Sequence, residues 1–447
     1  MPLLPAGRRR SRLLAACALA AAIAVPAFGA TTATAAAAPN AAAAATSEPC
    51  DIYAAGGTPC ETAHSTTRAL FAAYNGPLYQ VQRASDHAYS DIGLQSAGGV
   101  VNAATQDSFC AGTSCTITKI YDQTTNHNDL PISWGGFWKG PGPNGADIGA
   151  NATALPLTIG GQKAYGVKVT QGVGYRVDNA KNVPTGSKPE GVYMVTSSNY
   201  VDQWCCFDYG SGENSHTDTG NATMNAIEWG TACWFGGCTG SGPWVEADLE
   251  NGMYSSNTGP NQPGYTGVNF PFVTAMEKNN GTSNFTLKYA NATSGGLTTG
   301  FSGPLPNGYS PMKTDSSILL GTGGDNSNSG VGEFFEGAVT AGYPSDATEN
   351  AVQANLAAAA YSFGGGSTGG SSGPLHAVGA GKCLDDPNST TTLGTQQQIY
   401  ACSGAANQTW THTSSGALSV TVGGTTLCLD ANGKGTTNGT KAIVWSC

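Results

Sequence analysis

Trp244-Val-Glu-Ala-Asp-Leu-Glu-Asn-Gly252 is the segment around which the chain is organised. Side chains alternate faces along a strand, so Val245, Ala247 and Leu249 point one way while Trp244, Glu246, Asp248 and Glu250 point the other. One face is apolar, the other a tryptophan and three acids. Clustered carboxylates repel one another and resist burial, so the acidic face is expected to line solvent or a polar cleft, not the core. A cleft with an aromatic wall and several acids suits sugar chemistry; the plainer reading is a surface strand with a solvated acidic edge.

The sequence around this strand is that of a secreted β protein. Only 11% of the 447 residues are charged, and 63 are glycine, a turn-rich profile. Arg8, Arg9, Arg10 and Arg12 precede the apolar run Leu13–Val25 and small residues at Ala27–Ala30. Residues 1–30 therefore read as a secretory signal, too short in its apolar part to span a bilayer. The arginines leave a twin-arginine route open. Residues 31–48 read as a disordered Ala/Thr-rich leader. The chain is acidic, with 29 Asp and Glu against 19 Lys and Arg, and loss of the signal removes four arginines. Such a surface repels nucleic acid and anionic membranes and leaves a neutral polymer as the natural partner; a monomer without cofactor is expected.

Of 13 cysteines, Cys17 lies in the signal. An even remainder in a secreted chain predicts disulfides, and the spacings suggest Cys50–Cys60, Cys110–Cys115, Cys205–Cys206, Cys233–Cys238, Cys383–Cys402 and Cys428–Cys447. Joining the neighbours Cys205 and Cys206 closes a strained eight-membered ring, which points to a functional position. No Cys/His cluster has zinc spacing, and no metal is expected.

From Leu78 to Val339 short apolar or alternating runs, such as Cys115–Tyr121, Ala164–Val169, Gly191–Thr196, Phe285–Tyr289 and Ile318–Leu320, are separated by Gly, Asn, Pro and Asp. This is the pattern of a β-sandwich or jelly roll, and the lack of βαβ alternation argues against a TIM barrel. Two helices are expected: Thr66–Tyr74, stopped by Asn75-Gly76, and Ser345–Tyr361, with Asp346 and Glu349 as a capping box. The catalytic domain is thus placed at 49–363, a Gly/Ser linker at 364–374 and a second domain at 375–447.

The second domain repeats. Lys382-Cys-Leu-Asp-Asp386 with Gln398-Ile-Tyr-Ala-Cys402 is echoed by Leu427-Cys-Leu-Asp430 with Ala442-Ile-Val-Trp-Ser-Cys447, a spacing that signals stacked units. Together with Asn407-Gln-Thr-Trp410 this resembles the ricin B-type lectins, or family 13 carbohydrate-binding modules, which are β-trefoils of three units. The sequence stops inside the second unit, so a partial trefoil is expected. The resemblance implies a sugar site at Asp385, Tyr400, Asn407 and Gln408, where acid and amides take hydroxyls and the ring stacks on the sugar. In the second unit Asp430 and Trp445 remain.

Four segments of the first domain belong together: Trp204-Cys-Cys-Phe-Asp-Tyr-Gly210, Cys233-Trp-Phe-Gly-Gly-Cys238, Asp248-Leu-Glu-Asn-Gly252 and Gly321-Thr-Gly-Gly-Asp-Asn-Ser-Asn-Ser-Gly330. With Gly332–Asp346 they resemble glycoside hydrolase family 54, the α-L-arabinofuranosidases of the B type. The resemblance implies a concanavalin-like β-sandwich and a retaining double displacement, with Glu250 as nucleophile and Asp325 as acid/base. It places Asp248, Asn251, Gly252 and Gly324 at sugar-binding positions, packs the Cys205–Cys206 bridge against the arabinose ring, and lines the subsite with Trp234. Family members usually carry an arabinose-binding trefoil at the C-terminus; here a ricin-type module takes that place.

The chemistry needs two carboxyl groups about 5–5.5 Å apart, one ionised and one protonated. Asp248 beside Glu250 discourages a second charge, so hydrogen bonds, with Asn251 a candidate donor, are expected to keep Glu250 ionised. Asp325 lies in a glycine-rich loop able to approach a ligand closely. Glu246, Glu213, Asp218 and Glu228 compete for these roles. His64, His87, His127 and His216 show no Ser/Asp partner pattern and read as structural, and Gly321–Gly324 lacks the Lys-Ser/Thr ending of a phosphate loop. The expected function is a secreted exo-acting α-L-arabinofuranosidase trimming the plant cell-wall polysaccharides arabinan and arabinoxylan, anchored by its lectin module. The rivals are a non-catalytic carbohydrate-binding protein and a glycosidase of other specificity, a galactofuranosidase or xylosidase.

Overall fold

Two six-stranded antiparallel sheets carry the first domain. The computed structural model describes residues 47–234, 238–256, 267–363, 371–412 and 417–447; the expected signal at 1–30, nearly all of the leader and most of the 364–374 linker lie outside the described residues. In the first sheet the strands run Cys60–Ser65, Glu336–Ala341, Glu190–Thr196, Val273–Asn279, Phe285–Asn291, Thr298–Gly303. In the second the order is Met253–Tyr254, Trp244–Asp248, Asn225–Gly230, Asp208–Gly212, Ser317–Leu320, Tyr175–Val177. The sheets pack face to face, Asn225 of the second donating to Glu277 of the first at 2.9 Å and Ser211 to Glu190 at 3.1 Å. The protein is all-β in class.

Alternation accounts for this packing. Tyr209, Ile227, Ala247 and Leu320 stand in register across neighbouring strands and are all buried. Taking Ile227 or Leu320 from water contributes about 1.5–3 kcal/mol each. Both faces of the central strands are covered, and every residue of Glu190–Thr196 is buried. On the far side of that strand Tyr53 meets Tyr193.

The helix expected at Thr66–Tyr74 does not form. Its backbone is satisfied by distant partners: Gln123 Oε1 accepts from the Leu70 N–H at 2.7 Å, and Cys50 N–H donates to Leu70 O at 2.9 Å. Arg68 is drawn into the core by a two-point contact with Glu336 (2.6 and 2.8 Å) and by Glu48 (2.9 Å). Helices form instead at Pro49–Ala55 and Ala103–Phe109, the first with proline in its opening turn, where no N–H is needed. The C-terminal helix spans Asp346–Ala358, and its cap is Ser345, whose side chain accepts from Thr348 N–H. Asp346 and Glu349 do not form the expected capping box; they bind Lys278 and Lys288.

All six expected disulfides are present. The lectin segment holds one sheet of Ser371–Pro374, Thr409–His412, Leu418–Val422, Thr425–Ala431 and Ala442–Trp445, and a second of His376–Ala377, Lys382–Asp385 and Gln398–Tyr400. Its core is Trp410, Val420, Val422, Leu427 and Val444, small enough that the Cys383–Cys402 and Cys428–Cys447 bridges matter to it.

Candidate active site

Three strands of the second sheet set out an acidic floor. Asp208, Glu228 and Glu246 are direct cross-strand partners, and in the next row Gly210 faces Ala226, which faces Asp248. Small residues beside Asp248 leave room above it. The expected alternation holds from Trp244 to Asp248, but the acidic face is not solvated: every residue of that strand is buried and Glu246 is fully enclosed.

Glu250 does not continue the strand. The strand ends at Asp248, and Glu250 and Asn251 take positive φ of 63° and 55°, in a turn where Asp248 Oδ1 accepts the Glu250 N–H at 2.9 Å. Gly252 N-terminal to Met253 has no space for a side chain, since a Cβ would lie 2.5 Å from the Tyr309 hydroxyl. That hydroxyl donates to Asn251 O. The turn thus aims Glu250 into the space above Asp248 by backbone conformation.

The resulting pocket has a volume of about 400 Å³ and is lined by Glu250, Asp325, Asp248, Asn251, Gly252, Gly324, Cys205, Cys206 and Trp234 together. Every first-domain position assigned a catalytic or sugar-contacting role from the sequence lines it. Segments some 120 residues apart in the chain supply the disulfide and Asp325, and Cys206 Sγ lies 3.9 Å from Asp248 Oδ2. Asp325 accepts from Ser327 N–H at 2.9 Å and from the Ser327 hydroxyl. Behind the loop the buried Arg176 guanidinium donates to Gly324 O and Glu213 O, and Asp147 accepts from Asn326 and Asn328.

The pocket carries acids without compensating cations. None of the described residues lining it is Lys or Arg. Burial pushes the Glu250 carboxyl far up, with Asp248, Glu213 and Asp218 adding to the rise. Burial likewise raises Asp248 to about 8 and Glu213. Carboxylate oxygens of Glu213, Asp218 and Glu250 lie within 4.8 Å of one another, a distance at which two negative charges at ε near 20 repel by about 4 kcal/mol. Glu250 and Asp248 therefore hold protons at neutral pH. Asn251 does not serve Glu250 as expected, because its amide donates to Asp218 at 3.0 Å.

Glu213, one of the acids that compete for the catalytic roles in the sequence, acts here only indirectly, and the aromatic rim is what the sequence reading missed. Trp138 and Trp204 line the pocket and are about half exposed, as is Trp234. Trp138 belongs to Trp134-Gly-Gly-Phe-Trp138, and a cluster of aromatics among glycines was the available signal. His216, expected to be structural, is held by Asp178, whose Oδ2 lies 2.8 Å from Nε2, a partner the sequence pattern did not show. His64 bridges Tyr209 and Asn128, and His87 and His127 occupy turns with positive φ.

In the lectin segment Asp385 gathers the amides of Gln398, Asn407 and Gln408, each at 2.9 Å. Asp385 and Gln408 are buried, and Gln408 also binds Ser403 N–H and Ala401 O, so its amide is occupied within the fold. Tyr400 is exposed on the strand paired with Lys382–Asp385.

Residues 49–362 match the family described as "Alpha-L-arabinofuranosidase B, catalytic", and residues 371–447 match "Ricin-type beta-trefoil lectin domain". A "Probable alpha-L-arabinofuranosidase B" of Aspergillus terreus is 53% identical over 315 residues, 70% of this chain and 62% of that protein. A counterpart from Aspergillus clavatus is 51% identical over 75% of this chain and 66% of its own length, so this chain spans somewhat under two thirds of these relatives. An "Arabinofuranosidase/B-xylosidase" of Trichoderma koningii is 51% identical over 70% of this chain and 63% of its own length. Among solved structures, an arabinofuranosidase complexed with arabinofuranosyl-alpha-1,2-xylobiose superposes with a TM-score of 0.70 at 39% identity, covering 89% of this chain and 84% of that one. A family 54 α-L-arabinofuranosidase soaked with a cyclic sulfate inhibitor also superposes at 0.70, with 38% identity over 90% and 85% of the two chains.

Proposed function

This chain belongs to the alpha-L-arabinofuranosidase B catalytic family, and from that membership we propose that the whole protein is a secreted, exo-acting α-L-arabinofuranosidase. It removes terminal non-reducing arabinofuranosyl residues from arabinan or arabinoxylan with retention of configuration, and its 375–447 module binds the same polymers. The observation that carries this reading is that Glu250 and Asp325, from separate segments, line one pocket whose wall is the Cys205–Cys206 bridge.

In the first step Glu250 attacks the anomeric carbon, the bond to the leaving oxygen breaks, and the Asp325 proton passes to that oxygen. Water then attacks the glycosyl-enzyme ester while Asp325 takes back a proton. The clustered acids fit this chemistry. As cationic character develops at the anomeric carbon, negative charge is drawn to Glu250, the attacking carboxyl, while the proton stays on Asp248. The bridging sulfurs and Trp234 supply apolar surface for the sugar ring.

The test is Glu250→Gln assayed on an aryl α-L-arabinofuranoside. The substitution should lower kcat by several orders of magnitude, because no other group forms the covalent intermediate; near-normal release of the phenol would sink the assignment. Unchanged binding of arabino-oligosaccharides by a wild-type chain that never turns them over would favour the non-catalytic rival. A second reading, added β-xylosidase activity, is favoured by the double name of the Trichoderma relative, and aryl β-xyloside tests it.

A further inference from the structure

Beside the catalytic pocket lies a second cleft of about 350 Å³, lined by Trp134, Asp178, Asn214, Ser215, His216 and Thr217 among others. Trp134 is 56% exposed, and one face of its indole lies flat on the His216 imidazole, 5.2 Å away at 7°. His216 is itself held by Asp178 and by Trp134 O at 3.0 Å. The ring is thus braced from behind with its outer face free. Ser215 and Thr217 are exposed and bond to each other, while the Asn214 amide at the same rim is held by Asp315, Ser316 and Asn179 and fixes the loop that carries them. A rigid indole face edged by hydroxyls is the set and shape that grips a neutral sugar ring: the indole takes the C–H face, the Ser215 and Thr217 hydroxyls take those of the sugar.

The two clefts share a wall. Phe137 N–H donates to His216 O at 2.9 Å and Trp138 N–H to Asp325 O at 3.2 Å, so one strip of backbone, Gly136–Trp138, divides them. Trp138 faces the catalytic pocket and Trp134 the other. Four residues of extended chain span at most about 14 Å, the length of a few sugar units.

We infer that the Trp134 cleft is a distal subsite for the neutral polysaccharide main chain whose arabinofuranosyl branch enters the catalytic pocket. The inference rests on the reading given under Proposed function. The acidic chain favours an uncharged occupant, and xylan and arabinan main chains share the required chemistry.

The experiment compares the full-length wild type with Trp134→Ala on an aryl α-L-arabinofuranoside, on arabinoxylan and on branched arabinan. Expected is a loss of about tenfold in kcat/KM on one or both polymers, mainly through KM, against less than threefold on the aryl glycoside; which polymer responds identifies the main chain. Equal losses on all substrates, or none, would overturn the proposal. Ser215→Ala with Thr217→Ala, which leaves the stacked rings in place, should show the same split at about threefold, and decides the matter if Trp134→Ala does not fold. Independently of turnover, linear xylo-oligosaccharides or arabino-oligosaccharides should shift the tryptophan emission of the wild type, with part of that shift lost in Trp134→Ala. If no aryl arabinofuranoside is hydrolysed but this difference persists, the catalytic reading fails while the cleft stands; identical titrations of the two proteins would remove the cleft.

Discussion

Gly324→Ala should disable the site while leaving every acid in place. A Cβ at this position would lie 1.9 Å from Glu213 Oε2 and 2.6 Å from Met224 Sδ. Real Cβ contacts do not come below 3.0 Å, so the loop or the carboxyl must give way by roughly 1 Å, and overpacking of this kind costs about 1–3 kcal/mol. Glu213 cannot yield freely, because Oε1 accepts from the Thr223 hydroxyl at 2.6 Å and its own carbonyl is held by Arg176. The displacement therefore falls on the loop and carries the next residue, Asp325. A misplacement of about 1 Å in a catalytic group costs on the order of 100-fold. The assay is kcat for an aryl α-L-arabinofuranoside alongside a melting curve: kcat should drop about 100-fold and Tm by a few degrees. Gly296→Ala, where nothing lies within 4 Å of the new Cβ, is the control and should match the wild type in both. A Gly324→Ala enzyme within threefold of wild-type kcat would refute the reasoning, since it would mean that the loop absorbs a methyl without moving the acid.

Two further outcomes concern stability. Burial raises Glu228 to about 7, Glu277 to about 8 and Asp248 to about 8; each therefore keeps its proton in the folded chain at pH values where the unfolded chain has lost it. Below about pH 4 both states are protonated and nothing is gained. Above it the folded state binds more protons, so stability falls as pH rises toward 8, by up to about 1.4 kcal/mol per group per pH unit; Tm by calorimetry should be at least about 5 °C lower at pH 8 than at pH 5, and a flat or rising Tm would contradict this. Glu349→Ala leaves the buried Lys278 and Lys288 with the exposed Asp346 as their one remaining acid among the described residues, and should cost about 3 kcal/mol, whereas Asp346→Ala should cost under about 1 kcal/mol; chemical denaturation separates the two.

Much of this site could be read from residue order alone, for a physical reason. The period-2 pattern of Trp244–Asp248 reports which residues share a face, and the cross-strand partners Ala226 and Glu228 obey it. What lies over that face is set by loops from distant segments, so the burial of Glu246 was not legible. Nor was the turn that redirects Glu250, because positive φ at a glutamate is imposed by its neighbours. The Thr66–Tyr74 segment has helical periodicity, yet Glu336, Gln123 and Cys50, all distant in sequence, capture its groups. Trp134 and Trp138 escaped notice because exposure gives them no periodic signature; Gly135 and Gly136 between them were the visible trace.

Gly136 has a consequence for how such a molecule can diverge. A Cβ there would lie 2.3 Å from His216 O and 2.6 Å from Asp325 O, so that single position is closed to every other amino acid unless both neighbours retreat. Variants with altered clefts must accordingly change the residues at either end of the partition and leave its middle untouched.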